Sequence, residues 1–218
     1  MTIKVILFDF DGTLADTLDA LVKITNRLSL EFGYQPVSPE DILQLKQLSS
    51  REVIRQSGVS LFKLPFLLRK VRAELNSEIQ AFSLIPGMKE VLLELHQQGN
   101  HLGIVTSNAL ENVHLFLENN EVQNLFGFIY SEMKIFGKSK VIKRFLNREG
   151  LKPEEVVYVG DETRDIEAAQ QTQIRVIAVA WGFNSPEILA SHQPDFLIHT
   201  PTELIAVVEQ LQQLALSP

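Results

Sequence analysis

The chain has 218 residues, 45% of them hydrophobic, and a formal net charge of -7. That size supplies a core for one large domain or for a domain with an insertion, and the acidic balance argues against a broad basic surface for nucleic acid or an anionic membrane. The absence of cysteine excludes disulfides, thiolate metal sites and cysteine nucleophiles; with no leader-like start and no apolar run long enough to span a bilayer, a soluble cytoplasmic protein, with neither nucleic acid nor membrane as partner, is expected.

Ile3 to Phe8 is an almost unbroken apolar run, which predicts a strand covered on both faces, as in a parallel sheet. It ends abruptly at Asp9-Phe10-Asp11-Gly12-Thr13. Open α/β sheets bind ligands beyond the carboxyl ends of their strands, so Asp9 and Asp11 stand where chemistry usually sits. In extended backbone residues i and i+2 point to one side, so both carboxylates are expected to face one ligand while Gly12 turns the chain away. Asp and Gly also end strands in plain turns, but Asp-x-Asp-Gly-Thr arises by chance in a chain of this length only about once in a thousand sequences.

From Ala15 to about Ser83 the spacing is helical. Asp19 to Phe32 carries Leu21, Val22, Ile24, Leu28, Leu30 and Phe32 at helical intervals, closed by Gly33. Ser38-Pro39-Glu40-Asp41 opens a second helix and Ser49-Ser50-Arg51-Glu52 a third. Leu61 to Ala81 reads as one or two more, with Pro65 at a start or kink. We therefore expect an all-α block at 16–83 inserted into an α/β core formed by 1–15 and 84–218.

After Pro86-Gly87 strands and helices alternate. Predicted strands at His101–Val105, Phe128–Tyr130, Val156–Val159, Ile174–Ala180 and Asp195–Ile198 are separated by helices at Met88–Gln98, Ala109–Asn119, Lys138–Glu149 and Arg164–Thr172, and Thr200-Pro201-Thr202-Glu203 opens a final helix. Such alternation means parallel crossovers and a doubly wound parallel sheet. The polar residues after each strand then gather along one edge. They include Thr13, Ser107, Asn108, Lys138, Asp161 and Asp165. Taken singly, Ser107 reads as a helix cap, Lys138 as a solvated charge, and Asp161 and Asp165 as favourable first-turn charges. Jointly their order builds one site.

The ordered set resembles the haloacid dehalogenase-like superfamily, in its phosphatases with a helical cap inserted after the first strand, such as the phosphoglycolate phosphatases. Asp9-Phe10-Asp11-Gly12-Thr13 looks like the first motif, Ser107 the second, Lys138 the third and Gly160-Asp161-x-x-x-Asp165 the fourth. Lys140 stands two residues beyond Lys138, and the Lys-Pro that often marks this motif in related phosphatases is here Lys138-Ser139. Trp181-Gly182-Phe183 also looks like the family. The resemblance implies that Asp9 and Asp161 bind the metal by their side chains and Asp11 by its carbonyl, with Asp165 behind these ligands or bound through water.

Four converging carboxylates need cations, since two like charges about 4 Å apart cost roughly 4 kcal/mol near a protein surface. Oxygen ligands without cysteine or clustered histidine favour Mg²⁺, which bridges to substrate phosphate. The implied chemistry is phosphoryl transfer from a small phosphate ester: Asp9 attacks phosphorus, Asp11 protonates the leaving oxygen and then activates water, and Ser107 and Lys138, with Thr13 and Asn108 beside them, hold the phosphate. Arg51, in the connection between two cap helices, is expected to read the remote part of the substrate, against the plainer reading of a solvated helix-start charge.

Asp11 argues against a dehalogenase, which needs no acid there. Phe136-Gly137-Lys138-Ser139 looks like a P-loop tail, but the first glycine of that motif would fall at Glu132. A phosphomutase of the beta-phosphoglucomutase type stays open, because Leu45-Lys46 and Ser50-Arg51-Glu52 look like its cap. A non-catalytic phosphate-binding module stays open as a reading of another class. Either a monomer or a homodimer is compatible with the sequence.

Overall fold

In the computed structural model, which describes residues 3–60, 62–132 and 136–214, the opening apolar run becomes strand β1 (Val5–Phe8), buried throughout. Ile3 is buried as well, yet the strand starts two residues later than the apolar run predicts. The other strands are β2 (His101–Thr106), β3 (Phe126–Ser131), β4 (Val156–Gly160), β5 (Arg175–Val179) and β6 (Phe196–Ile198). They form one six-stranded sheet in the order β3-β2-β1-β4-β5-β6, with every pairing parallel. Strand β1 lies at the centre, and Phe8 is level with Ile104 on one side and Val159 on the other. The chains leaving β1, β2 and β4 therefore emerge at one height, at the point where the strand order reverses.

Alternation along the strands sorts the two layers. Ile6 and Phe8 face one side, where α5 (Met88–Gln97), α6 (Leu110–Asn119) and α10 (Glu203–Leu214) pack. Val5 and Leu7 face the other, covered by α7 (Lys138–Glu149), α8 (Thr163–Thr172) and α9 (Pro186–Ser191). Helix α9 has no counterpart in the sequence-based reading, although Ser185-Pro186-Glu187 repeats the signal of Ser38-Pro39-Glu40: Ser185 caps and Pro186 begins the helix.

The inserted block holds α1 (Leu18–Phe32), α2 (Pro39–Leu45), α3 (Ser50–Gln56) and α4 (Leu64–Glu78). Ser38 and Asp41 form a capping box on α2, and Ser49 and Glu52 form one on α3. Pro65 sits in the first turn of α4, which runs as a single helix before a short 3-10 turn at Ile79–Ala81. Leu61, the expected start of this helix, lies outside the described residues. The block has its own core: Ile24, Leu28 and Phe32 from α1 meet Leu67, Val71 and Leu75 from α4. Spacings of four select these stripes, which leaves Leu30 and Phe66 facing solvent.

The two crossings between block and sheet run side by side. Ala15 bridges Leu84, Asp16 N–H donates to the Ser83 carbonyl at 3.0 Å, and Ile85 N–H donates to the Leu14 carbonyl at 2.9 Å. Among the described residues no helix is long and apolar enough to cross a membrane.

A separate core should yield a separately weakened unit. Leu75→Ala, at a buried site, is expected to cost about 2–5 kcal/mol and, in hydrogen exchange, to speed opening of α1 and α4 while β1, β2 and β4 keep their protection. Equal loss of protection in the central strands would show that block and sheet open together.

Candidate active site

The site is built on the three chains that leave the sheet together. Asp9 N–H donates to the Val159 carbonyl at 2.8 Å, which ties the first residue beyond β1 to the end of β4. Its carboxylate is 2% exposed. Oδ1 accepts from Phe10 N–H at 2.7 Å, whereas Oδ2 is buried and makes no hydrogen bond, although the Lys138 ammonium stands 2.6 Å away. Lys138 opens α7 and is 1% exposed, and its Nζ also lies 2.5 Å from Asp165 Oδ1. Lys140, two residues further along the helix, faces solvent. Asp165 is locked by its own helix start, where Oδ2 accepts from Glu162 N–H at 3.1 Å.

Asp161 completes the cluster. Thr13 donates its hydroxyl to Asp161 Oδ1 and Phe183 N–H donates to Oδ2, both at 2.7 Å. Two glycines make room for this carboxylate. Gly12 adopts φ +76°, and a Cβ on it or on Gly182 would overlap the Asp161 carboxylate. Asp9, Asp161 and Asp165 thus bring carboxylate oxygens within 4.8 Å of one another, all three residues buried.

Asp11 stands apart from that cluster. The i, i+2 rule predicts that its side chain shares a face with Asp9, but extended backbone ends at Phe8. The next residues fold into a turn in which Leu14 and Ala15 donate back to the Phe10 carbonyl. The Asp11 carboxylate therefore turns to Thr17 Oγ1 at 3.0 Å and to Asn108 Nδ2, which reaches its two oxygens at 3.1 and 3.0 Å. Any part that Asp11 takes in holding a metal falls to its backbone.

The remaining expected residues separate in the same way. Thr13, expected at the substrate, is committed to Asp161, and its carbonyl accepts from Trp181 Nε1 at 3.2 Å. Ser107 is half-buried at the end of β2, and among the described residues its hydroxyl has no protein partner. Asn108 is buried against Asp11. Arg51 is not brought to the cluster: its side chain is 58% exposed, paired to Glu167 at 3.0 Å and stacked 4.3 Å from the Phe136 ring centre.

Neither motif nor periodicity distinguishes Arg164 and Asn184. Arg164 lies inside the fourth motif, where its buried guanidinium pairs with Glu162. Asn184 is a buried bridge. Its Oδ1 accepts from Thr163 N–H at 2.9 Å, its backbone N–H donates to the Asp161 carbonyl at 3.3 Å, and its Nδ2 donates to the carbonyls of Lys46 and Leu48 at 3.3 and 2.9 Å. Ser50 adds its hydroxyl to Glu162 at 2.9 Å, and Lys46 Nζ donates to the Gly182 carbonyl at 3.0 Å. The connection between α2 and α3 is thereby latched onto the loops that carry Asp161.

Burial dominates the electrostatics. It drives Asp161 well above the ordinary carboxylate range, with help from the charges of Glu162, Asp9 and Asp165. Burial pushes Asp165 up to about 7 against the pull of the Lys138 ammonium, and Asp9 adds to the rise. Asp11 is raised to about 6 by burial and by Asp9, a rise partly offset by Thr17 and Asn108. For Lys138 burial disfavours the charged form, but Asp165 and Asp9 outweigh it and the net shift is upward. Three crowded carboxylates, two of them reluctant to ionise, fit a hard divalent cation.

A raised carboxylate pKa means that the folded chain keeps protons which the unfolded chain has released. Without a cation, stability should fall as pH rises from about 4 through about 7, the window set by Asp165. A divalent cation binds the ionised carboxylates only, so its gain in Tm is expected to be larger at pH 8 than at pH 5.5. Thermal melts at both pH values, with and without the cation, check this; equal gains would remove the cluster as its binding site.

Residues 6–179 match the family model described as haloacid dehalogenase-like hydrolase. A phosphoglycolate phosphatase of Synechococcus elongatus is 39% identical, over 96% of this chain and 99% of its own. Pyrophosphatase PpaX of Oceanobacillus iheyensis is 27% identical, over 95% and 98%. A haloacid dehalogenase-like hydrolase from Streptococcus pneumoniae, whose structure is solved, superposes with a TM-score of 0.76 at 26% identity, over 94% of this chain and 98% of that one. The chain belongs to the haloacid dehalogenase-like hydrolases, as an enzyme of the phosphoglycolate-phosphatase-like kind.

Proposed function

We propose that this enzyme is a Mg²⁺-dependent phosphatase that hydrolyses a small phosphate monoester through an aspartyl-phosphate on Asp9, with phosphoglycolate as the first candidate substrate. One observation carries the reading: Asp9 Oδ2 is buried, makes no hydrogen bond and faces an ammonium at 2.6 Å, while the neighbouring Asp11 is held apart from the acidic cluster. An oxygen so placed is a nucleophile awaiting an electrophile. Asp9 and Asp161, with Asp165 directly or through water, would hold the Mg²⁺, which supplies positive charge to the oxygens of the transferring phosphoryl group.

In the first step an Asp9 oxygen attacks phosphorus and the bond to the ester oxygen breaks. Asp11 gives its proton to that leaving oxygen. In the second step water attacks the phosphorus of the aspartyl-phosphate, Asp11 takes the proton back, inorganic phosphate departs and Asp9 is restored. A carboxyl raised to about 6 can serve in both forms near neutral pH. Lys138 neutralises charge on the phosphoryl group, and the Ser107 hydroxyl, unpartnered among the described residues, is available to one of its oxygens. With the 46–50 connection latched over the site and Asp9 almost wholly buried, a small leaving group fits better than a large one. The 39% identical phosphoglycolate phosphatase supports the choice of first substrate.

The deciding experiment is a screen of the purified protein against phosphate monoesters and pyrophosphate, with Mg²⁺ and with excess chelator. Turnover is expected only with the metal, and Asp9→Asn should lower it by at least about a thousandfold. Undiminished activity in chelator, or in that variant, would sink the proposal. Asp11→Asn should cost roughly a hundredfold for an alkyl ester and far less in the first step for p-nitrophenyl phosphate, whose leaving group needs no proton. A loss independent of the leaving group would count against Asp11 as the acid.

A further inference from the structure

Three asparagine side chains run in line from the inserted block to Asp11. Asn76, on the exposed side of α4, donates through Nδ2 to Asn112 Oδ1 at 2.5 Å. Asn112, in the first turn of α6 and 1% exposed, donates through its own Nδ2 to Asn108 Oδ1 at 2.9 Å. Asn108 then donates to both oxygens of Asp11. The middle link follows from helix geometry, since residues four apart are neighbours on one face.

Backbone groups fix the direction of the line. Asn112 Nδ2 also donates to the Arg72 carbonyl at 3.2 Å, and a carbonyl only accepts, so the Asn112 oxygen is left for Asn76. Asn108 Oδ1 also accepts from Ala109 N–H at 2.8 Å, and an N–H only donates, so the Asn108 amide nitrogen is left for Asp11. Reversing either amide would strand a backbone group. A buried asparagine in a helix otherwise packed with Val113, Phe116 and Leu117 is costly unless fully bonded, and Asn112 is fully bonded. Both bonds on its outer side go to α4, in the inserted block. Its inner bond goes to the residue that holds Asp11.

We infer that Asn112 is a positioning residue: through Asn76 and the Arg72 carbonyl it registers that α4 is docked, and through Asn108 it aims the Asp11 carboxyl at the leaving oxygen. The inference rests on the reading of Asp11 as acid and base. Loss of the Asn112 amide then impairs protonation of the leaving group and spares capture of the phosphate, which lies with Lys138 and Ser107.

The test is kcat/KM for a series of aryl phosphates and one alkyl phosphate that spans leaving-group basicity, in the Mg²⁺-loaded enzyme. Asn112→Leu keeps the branched shape and removes the amide; Asn76→Ala removes one of the two links to α4 and leaves that to the Arg72 carbonyl, at an exposed position where folding is not at stake. Asn112→Leu should lose on the order of tenfold on the alkyl ester and little on p-nitrophenyl phosphate, so that the dependence on leaving-group basicity steepens. Asn76→Ala should steepen it in the same direction by a smaller factor, and adding Asn112→Leu to Asp11→Asn should cost little more. Uniform losses across the series, or slopes unchanged in both asparagine variants while Asp11→Asn steepens its own, would overturn the line of asparagines and leave Asp11 as the acid. A flat response in Asp11→Asn would remove the acid role and this inference with it. Should Asn112→Leu not fold, Asn76→Ala decides alone: a steeper slope supports the inference and an unchanged one ends it.

Discussion

The Lys138 ammonium, wedged between Asp9 and Asp165 at 2.6 and 2.5 Å, is the interaction on which the rest of the centre depends. Burying one carboxylate is expensive, and burying three side by side compounds desolvation with mutual repulsion. Lys138 cancels one of the three charges, and the Arg164 guanidinium is paired with Glu162. Two negative charges are left over in the ionised cluster. Protons can balance them, which is the physical content of the raised Asp161 and Asp165, or one divalent cation can. The chain has thus placed an excess negative charge of the size that one divalent cation balances where the strand order of the sheet reverses.

Backbone geometry makes that crowding possible. Because β1 is level with both β2 and β4, the residues that follow each strand start from one plane. Close approach of Asp161 to the first turn requires a residue without Cβ at Gly12 and another at Gly182. The same Asp161 loop carries the latch to the inserted block: Asn184 holds the Asp161 carbonyl, the first N–H of α8 and two carbonyls of the 46–50 connection at once. The geometry of the acidic cluster and the seat of the inserted helices therefore share one loop, and a displacement of either strains the other.

Features set by local rules were legible in the sequence. Capping boxes at Ser38 and Ser49, Pro65 in a first turn, and alternation of strands and helices depend on neighbours within a few residues, and the structure shows each of them. The sequence left Lys138 and Lys140 undecided; in the structure Lys138 Nζ lies against Asp9 and Asp165, whereas Lys140 is exposed. What escaped depended on distant partners. Thr13 looks like a phosphate-binding hydroxyl until Asp161, 148 positions away, claims it. Arg51 looks free until α8 supplies Glu167. The sidedness of Asp9 and Asp11 failed because the i, i+2 rule holds only while the backbone stays extended, and it stops at Phe8.

That failure is instructive for the chemistry. Had both carboxylates faced the cluster, Asp11 would share the field of the Lys138 ammonium and of any bound cation, which favours the charged form and spoils an acid. The turn at Phe10 instead gives two carboxylates two residues apart unlike surroundings. Asp9 faces an ammonium and two other acids, while the Asp11 carboxylate is bonded to a threonine hydroxyl and an asparagine amide, with the Arg164 and Arg72 guanidinium groups within its electrostatic reach. Burial and the Asp9 charge outweigh the Thr17 and Asn108 hydrogen bonds and the pull of Arg164, and carry Asp11 to about 6. On the proposed reading, division of labour between nucleophile and proton carrier comes from where the strand ends, and the amide that would orient the carrier is bonded through Asn112 to α4.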